Sequence, residues 1–406
     1  MIPFSPPHID QRTIDEVAAV LRSGWITTGS RTKQFENELA KYCGVPKVLC
    51  LNSATAGLEL MLRWFGVGAG DEVIVPSYTY CATANVVLHC GAKPVMVDVN
   101  DDFNISVMKI EKAITNKTKV IIPVDFGGLP CDYDEINTLV TKDSIAQKFV
   151  SSNDVQKKLE RILVLSDAAH SIGAFYNGKR SGSLADISVL SFHAVKNLTT
   201  AEGGAVCLNL PAPFDNESLY EKLNVKSLHG QTKDAFSKAQ IGSWEYDVVE
   251  AGYKSNMPDV LAAIGLSELS RYDSEILVRR KNIFEQYSDA LSQYTWAEIP
   301  VGKRVNAKMQ IESSYHLYPL RVKDIDEQKR NNIIERIFEQ EVSVNVHFKP
   351  LPLLSLYKNL GYRMKDYPVA YDNYSREISL PVYYDLKNGQ LKSVIHAVVK
   401  AVEELI

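Results

Sequence analysis

A chain of 406 residues with 45% apolar content is long enough for two packed domains, so disorder is not its default. Its 45 basic and 49 acidic residues leave a formal charge of −4, which excludes the broad electropositive field of a nucleic-acid binder and favours a small-molecule ligand. The N-terminus MIPFSPPHIDQRTIDEV lacks a basic stretch followed by an apolar one, and no apolar run reaches membrane-spanning length, so a cytosolic protein with no membrane partner is expected.

From about residue 47 to 210, short β-branched runs alternate with stretches of helical period, the pattern of a parallel sheet covered on both faces. The expected strands are Lys47–Leu51, Glu72–Pro76, Pro94–Asp98, Lys119–Val124, Arg161–Leu165, Asp186–Ser191 and Gly204–Leu208. Ser53 is placed to cap a helix in which Leu58, Met61, Leu62 and Phe65 share one face, and Gly66 and Gly68 end it. TYCATANVVLHCG reads as a second helix, between the strands EVIVP and PVMVD. Residues 140–158 are polar and irregular, and are expected to form a surface helix and loop without chemistry. After Asn256 the pattern becomes long amphipathic helices followed by strand-like SYHLYPLRV and SVNVHF, so a smaller α+β domain (256–406) is expected to follow a large one (1–255). The six cysteines, Cys43, Cys50, Cys81, Cys90, Cys131 and Cys207, show no C-x-x-C pairing and read as reduced core thiols.

Three segments carry chemistry. SFHAVKNLTTAEGGA (191–205) places Lys196 after a buried strand and before a Gly-Gly turn. An isolated lysine at a strand end ordinarily reaches solvent; held in a partly desolvated site it loses its proton more easily, and the neutral amine condenses with an aldehyde. RILVLSDAAHSIGAFYNGKRSG (161–182) places Asp167 at the carboxyl end of a strand, the edge of an open α/β sheet where ligands bind. Alone it reads more readily as a capping or turn aspartate; paired with Lys196 it is a carboxylate suited to a protonated pyridine nitrogen. NSATAGLELML (52–62) opens a helix with small residues and hydroxyls, whose free N–H groups favour a phosphate; Ser191 adds a hydroxyl. Tyr80, just past the next strand, reads either as a core tyrosine or as a residue that stacks on a flat ring.

Together with SGWITTG, GDEVIVPSYTYCATAN, GAKPVMVDV, GYKSNMPDVLAAIG and SLPVYYDL, these segments resemble the sugar-nucleotide aminotransferases of the DegT/DnrJ/EryC1/StrS family, in the family's order and over nearly the whole chain. The resemblance implies an aspartate-aminotransferase-like α/β fold (PLP fold type I), the cofactor pyridoxal 5′-phosphate (PLP, or PMP once aminated), no metal, and homodimers with shared active sites. Position by position, Lys196 matches the Schiff-base lysine, Asp167 the pyridine-nitrogen partner and His170 the residue beside the phenolic oxygen. Ala54, Thr55 and Ser191 match the phosphate cradle, Tyr80 the stacking aromatic, and Asn256 an asparagine that reaches the neighbouring subunit's cofactor phosphate. Trp25, Thr28, His193, His229 and His347 match substrate-side positions. Ser166 departs from the family's usual glutamate, without touching the pyridine partner that follows it.

The resemblance further implies ping-pong transamination from L-glutamate to a nucleotide-linked keto sugar, with C4 of a UDP-2-acetamido-2,6-dideoxy-4-hexulose the expected acceptor. Two other readings stay in view. A PLP-dependent sugar 3-dehydratase would replace Lys196 by histidine, and a non-catalytic sugar-nucleotide regulator would need an effector module that no helix-turn-helix or basic segment supplies.

Overall fold

The computed structural model describes residues 1–233, 245–305 and 309–406. Seven strands form the main sheet: β1 (Lys47–Leu51), β2 (Glu72–Pro76), β3 (Lys93–Val97), β4 (Thr118–Ile121), β5 (Leu163–Asp167), β6 (Ile187–Ser191) and β7 (Gly204–Leu208). Their order is β1-β7-β6-β5-β4-β2-β3. β3, β2, β4, β5 and β6 pair in parallel, as their β-α-β connections require. β7 departs from the expected parallel pattern: it follows β6 through the helix-free loop 192–203 and runs antiparallel to both β6 and β1.

Side chains alternate between the two faces of the strands, and each face is covered. Leu49 and Leu51 of β1 join a core with Leu58, Met61 and Leu62 on helix α3 (Ala54–Trp64) and with its C-cap Phe65, while Val48 and Cys50 join another with Phe35 and Leu39 on helix α2 (Ser30–Cys43). Ser53 caps α3 as expected, its Oγ accepting the Ala56 amide at 3.1 Å. The expected second helix is α4 (Ala82–His89).

Some expectations need correction. β3, β4, β5 and β6 begin or end one to three residues away from the expected limits, since a strand ends where its ladder pairing ends and not where its apolar residues do. SVNVHF forms no strand; it is held by one isolated bridge from Asn345 to Ser379, and the preceding Val342 by another to Ile2. Residues 140–158 do not stay on the surface. Gln156, on the short helix α5 (Asp154–Leu159), is completely buried, and its Nε2 donates to the Phe65 carbonyl at 2.9 Å, where the α5 cap residue Asn153 also donates at 3.1 Å. The segment therefore satisfies a carbonyl that the end of α3 would otherwise leave without a partner.

The amphipathic stretch after Asn256 is two helices serving two cores. α6 (Asp259–Ser270) packs on α2 and on the N-terminal helix Gln11–Ser23, and gives Ala262 to the α2-side core. A π-helical turn at Tyr272–Ile276 redirects the chain into α7 (Leu277–Leu291). A second core then joins Ile283, Tyr287 and Leu291 to residues of α8 (Glu327–Glu339) and α9 (Asn388–Glu403) around a three-stranded antiparallel sheet, β8 (Ala297–Glu298), β9 (Tyr318–Val322) and β10 (Glu377–Leu380). All six cysteines are free thiols. No described helix is long and apolar enough to cross a membrane.

Replacing Gln156 by Leu removes the donor to Phe65 and the acceptor for Ser152, whose amide bonds Gln156 Oε1 at 2.9 Å. The expected cost is about 1–3 kcal/mol of stability, read as a lower denaturation midpoint in urea at unchanged m value. An unchanged midpoint would show that the Gln156 hydrogen bonds contribute nothing to the stability of this region.

Candidate active site

A cavity of about 370 Å³ opens at the carboxyl ends of the parallel strands. Its wall brings together Ala54 and Thr55 at the start of α3, Tyr80 before α4, Asp167 and His170 after β5, and Ser191, His193 and Lys196 after β6. His316, His347 and Phe348 close it from the C-terminal half. Nine of the residues expected at the site from sequence thus share one space.

Asp167 ends β5 as a buried residue. Thr83, in the first turn of α4, donates to its Oδ2 at 2.8 Å, and Thr79 lies 3.0 Å from the Thr83 hydroxyl. The Ala169 amide reaches Oδ1 at 3.3 Å. Burial raises the Asp167 pKa above the usual carboxylate range; the Thr83 and Ala169 hydrogen bonds and the charge of Lys196 oppose this. Such a carboxyl ionises most readily against a cation.

Ser166 points to the opposite face of β5. Its hydroxyl meets that of Tyr133 at 2.5 Å, and Tyr133 donates to Asp125 at 2.8 Å. Asp125 also accepts from the Cys131 amide and the Ser171 hydroxyl, and burial pushes its carboxyl up to about 6. This shapes the Phe126–Gly128 turn, from which the Gly127 amide donates to His170 Nδ1 at 3.2 Å. With Nδ1 accepting, a neutral His170 carries its proton on Nε2. Burial, with the nearby cation of Lys196, holds its pKa well below the usual histidine range.

Lys196 lies in the turn between β6 and β7, with its amide bonded to the His193 carbonyl at 2.9 Å. Among the described residues its amine makes no direct hydrogen bond or ion pair, although the charge of Asp167 acts on it. Desolvation pulls the amine down to about 8, against the opposing pull of Asp167. The next residue, Asn197, anchors the turn. Its Nδ2 donates to the Ser314 carbonyl at 2.7 Å, and its Oδ1 accepts from Arg280 Nε and His316 Nδ1, each at 2.8 Å. Since Oδ1 accepts only, His316 has its proton on Nδ1 and a bare Nε2, the reverse of His170, whose ring centroid is 4.3 Å away.

At the other end of the cavity, α3 presents its first turn. Ser53 satisfies the Ala56 amide and the Ser53 carbonyl that of Gly57, whereas the amides of Ala54 and Thr55 have no acceptor among the described residues. Free amides at the positive end of a helix form an anion site, and the Ser191 hydroxyl lies on the same wall. Gly204 makes the close approach there feasible: a Cβ on it would sit 2.3 Å from the Ala54 nitrogen. Tyr80 is 60% exposed and 5.8 Å from Phe348, ring to ring, leaving one face available for stacking. His193 is exposed, 3.7 Å from Glu202.

Four expected residues lie outside this cavity. Asn256 Nδ2 donates to Thr28 Oγ1 at 2.5 Å, and Trp25 Nε1 donates to the Thr28 carbonyl at 3.2 Å, so these three form a separate cluster. His229 is exposed, and its amide bonds the Tyr253 carbonyl at 2.7 Å. Sequence reasoning missed Thr83, Asn197, Arg280 and His316. The signals available were a hydroxyl in the first turn of α4, the residue beside Lys196, and a histidine opening a buried strand.

The profile of the DegT/DnrJ/EryC1/StrS aminotransferase family matches residues 7–399. The chain belongs to that family. It is 36% identical over 405 residues to the spore coat polysaccharide biosynthesis protein SpsC of Bacillus subtilis, covering 98% of this chain and 96% of SpsC. The PMP form of Spr1654 from Streptococcus pneumoniae, a proposed sugar aminotransferase, superposes with a TM-score of 0.95 at 46% identity, over 100% of both chains. Helicobacter pylori PseC, an aminotransferase involved in the biosynthesis of pseudoaminic acid, superposes with a TM-score of 0.84 at 30% identity, over 99% of both chains. This DegT/DnrJ/EryC1/StrS member is a PLP-dependent sugar aminotransferase, α/β in class. The donor set fits PLP: free helix amides and a hydroxyl suit a phosphate, a buried carboxyl suits a ring cation, and a desolvated amine suits an aldehyde.

The amine at about 8 gives a pH test. The rate at which the cofactor-free enzyme captures PLP, followed by visible absorbance, should rise about tenfold per pH unit below 8 and level off above it, as the neutral amine becomes the dominant form. A profile flat from about pH 6 to 9 would contradict the desolvated amine.

Proposed function

We propose that the enzyme transfers an amino group from L-glutamate to C4 of a nucleotide-linked 4-keto-6-deoxy sugar, with a UDP-2-acetamido-2,6-dideoxy-4-hexulose as acceptor. The observation that carries the reading is the convergence of Lys196, Asp167 and the open amides of α3 in one cavity. The choice of sugar is supported by similarity to PseC, which acts in pseudoaminic acid biosynthesis, and to SpsC, which acts in spore coat polysaccharide biosynthesis. The product would feed a surface polysaccharide, glycan or lipopolysaccharide, made in the cytoplasm.

Bound PLP supplies an electron sink that makes the substrate carbon acidic. Lys196 Nζ would hold the cofactor through its aldehyde carbon. As a free amine near pH 8 it takes the proton from Cα of glutamate, and in the second half it returns a proton to C4 of the sugar. Asp167 holds a proton on the ring nitrogen, and Thr83 keeps the carboxylate oriented by its 2.8 Å hydrogen bond. His170 offers Nε2–H to the phenolic oxygen. Ala54, Thr55 and Ser191 bind the phosphate, and Tyr80 stacks on the ring. His193 and His347 are the sugar-side residues of this chain's cavity.

The same reading makes the enzyme a homodimer. Ile26, Tyr80, Val195 and Tyr253 expose apolar surface, and the hydrogen-bonded cluster of Trp25, Thr28 and Asn256, with the exposed His229, lies outside this chain's cavity, where it would serve the site of a second copy.

Lys196→Ala should retain the fold and lose turnover by at least about a thousandfold, while Asp167→Ala lowers both PLP affinity and rate. The assay is a mass-spectrometric screen of keto-sugar nucleotides with PLP and labelled glutamate. Full activity of Lys196→Ala would overturn the assigned roles; transfer of label only to non-sugar ketones would overturn the substrate class.

A further inference from the structure

His347 enters the cavity from the C-terminal half on the extended segment before Phe348, and a buried network of β10 holds it there. Glu377 and Ser379, both on β10, are fully buried. Ser379 Oγ lies between Glu377 Oε1 and His347 Nδ1, hydrogen-bonded to the first and 2.9 Å from the second. The other oxygen of Glu377 accepts the backbone amide of His347 at 3.0 Å. One carboxyl therefore grips the residue twice, through its main chain and, by way of Ser379, through its ring. Tyr78 donates to the His347 carbonyl at 2.6 Å, and Phe4 stacks on the imidazole with centroids 5.3 Å apart at 24°. Among the described residues Nε2 has no partner.

We propose that Glu377 and Ser379 are positioning residues that clamp His347 through Nδ1, so that Nε2 is the ring nitrogen offered to the sugar nucleotide. This rests on the reading of His347 as a sugar-side residue. Two imidazole nitrogens in exchange between tautomers present a donor half of the time and an acceptor the other half; a ring whose Nδ1 is committed presents one polarity in one direction. A site that discriminates between sugars by a hydroxyl or amide needs that constancy, because a mismatched buried group costs far more than a missing contact.

Electrostatics agrees with the geometry. Burial, with the nearby cation of Lys196, takes His347 down to about 3, so the ring stays neutral throughout the working range. Burial pushes Glu377 up to about 8 despite its hydrogen bonds to Ser379 and the His347 amide and the charges of Arg330 and Arg321. With the one Ser379 proton given to Glu377, His347 Nδ1–H donates to Ser379 Oγ and Nε2 is a bare acceptor. A glutamine at 377, taking the His347 amide on its oxygen, would donate its NH2 to Ser379, turn the Ser379 proton toward Nδ1 and move the ring proton to Nε2.

Ser379→Ala should raise KM for the sugar nucleotide about tenfold with kcat within about twofold, the loss of one oriented hydrogen bond. Glu377→Leu should do the same, and Glu377→Gln, which reverses the polarity of Nε2, should also raise KM with little change in kcat. Equal loss of kcat and KM in all three, with a matching fall in midpoint of unfolding, would assign the pair to core stability alone and overturn the clamp.

A readout independent of turnover is the imidazole 15N shifts of His347 in PLP-loaded, 15N-histidine-labelled enzyme, assigned by the loss of its signal in His347→Asn. The wild type should show the fixed Nδ1–H tautomer, Glu377→Gln the Nε2–H tautomer, and Ser379→Ala the averaged shifts of an exchanging ring. Averaged shifts in the wild type overturn the clamp. A fixed tautomer in an enzyme that accepts no keto-sugar nucleotide overturns the substrate reading and leaves the clamp standing.

Discussion

Desolvation of two opposite charges in one cavity is the constraint on which this molecule is built. Lys196 and Asp167 act on each other's ionisation without forming a direct ion pair. Burial penalises each charge, and only part of that penalty is returned by their mutual attraction. A collapsed salt bridge would satisfy both groups and leave nothing for a ligand. Holding them apart keeps an amine that can lose its proton and a carboxyl that gains most from a cation, which is the pair that a phosphate-anchored pyridine aldehyde completes.

Keeping them apart is the work of the surrounding scaffold. Thr83 and the Ala169 amide fix Asp167, the Asn197 network fixes the turn of Lys196, and α3 is satisfied at its far end by Asn153 and Gln156 so that its first turn faces the cavity. Of the four histidines that line the same space, burial keeps His170, His316 and His347 neutral, and the bonds to Nδ1 distinguish His170 from His316. Neutral imidazoles contribute hydrogen-bond polarity without adding to the charge already taken out of water.

Much of this was legible in the residues. Alternation of β-branched strands and helical period gave the two-faced sheet, and three strands, β1, β2 and β7, have the expected limits. Lys196, Asp167 and the Ser53-capped helix were each ambiguous alone and informative together, because strand ends of one sheet converge on one edge. What stayed hidden depends on contacts between distant residues. Asn197 gains meaning only from Arg280, Ser314 and His316, and the polar residues 140–158 look like a surface loop until Gln156 is seen against the Phe65 carbonyl. The reversal of β7 was hidden because a Gly-Gly turn does not announce the direction of the strand that follows.

The anchoring of Asn197 also bears on how such enzymes can be recombined. The catalytic turn sits in the first half of the chain, but its tether is supplied by α7 and by the segment leading into β9, from the second half. A chimaera that exchanged C-terminal halves between relatives to alter sugar preference would inherit a foreign tether along with the foreign binding wall. Crossovers chosen to carry Arg280, Ser314 and His316 with the parent that supplies Asn197 would leave the lysine undisturbed while the rest is swapped.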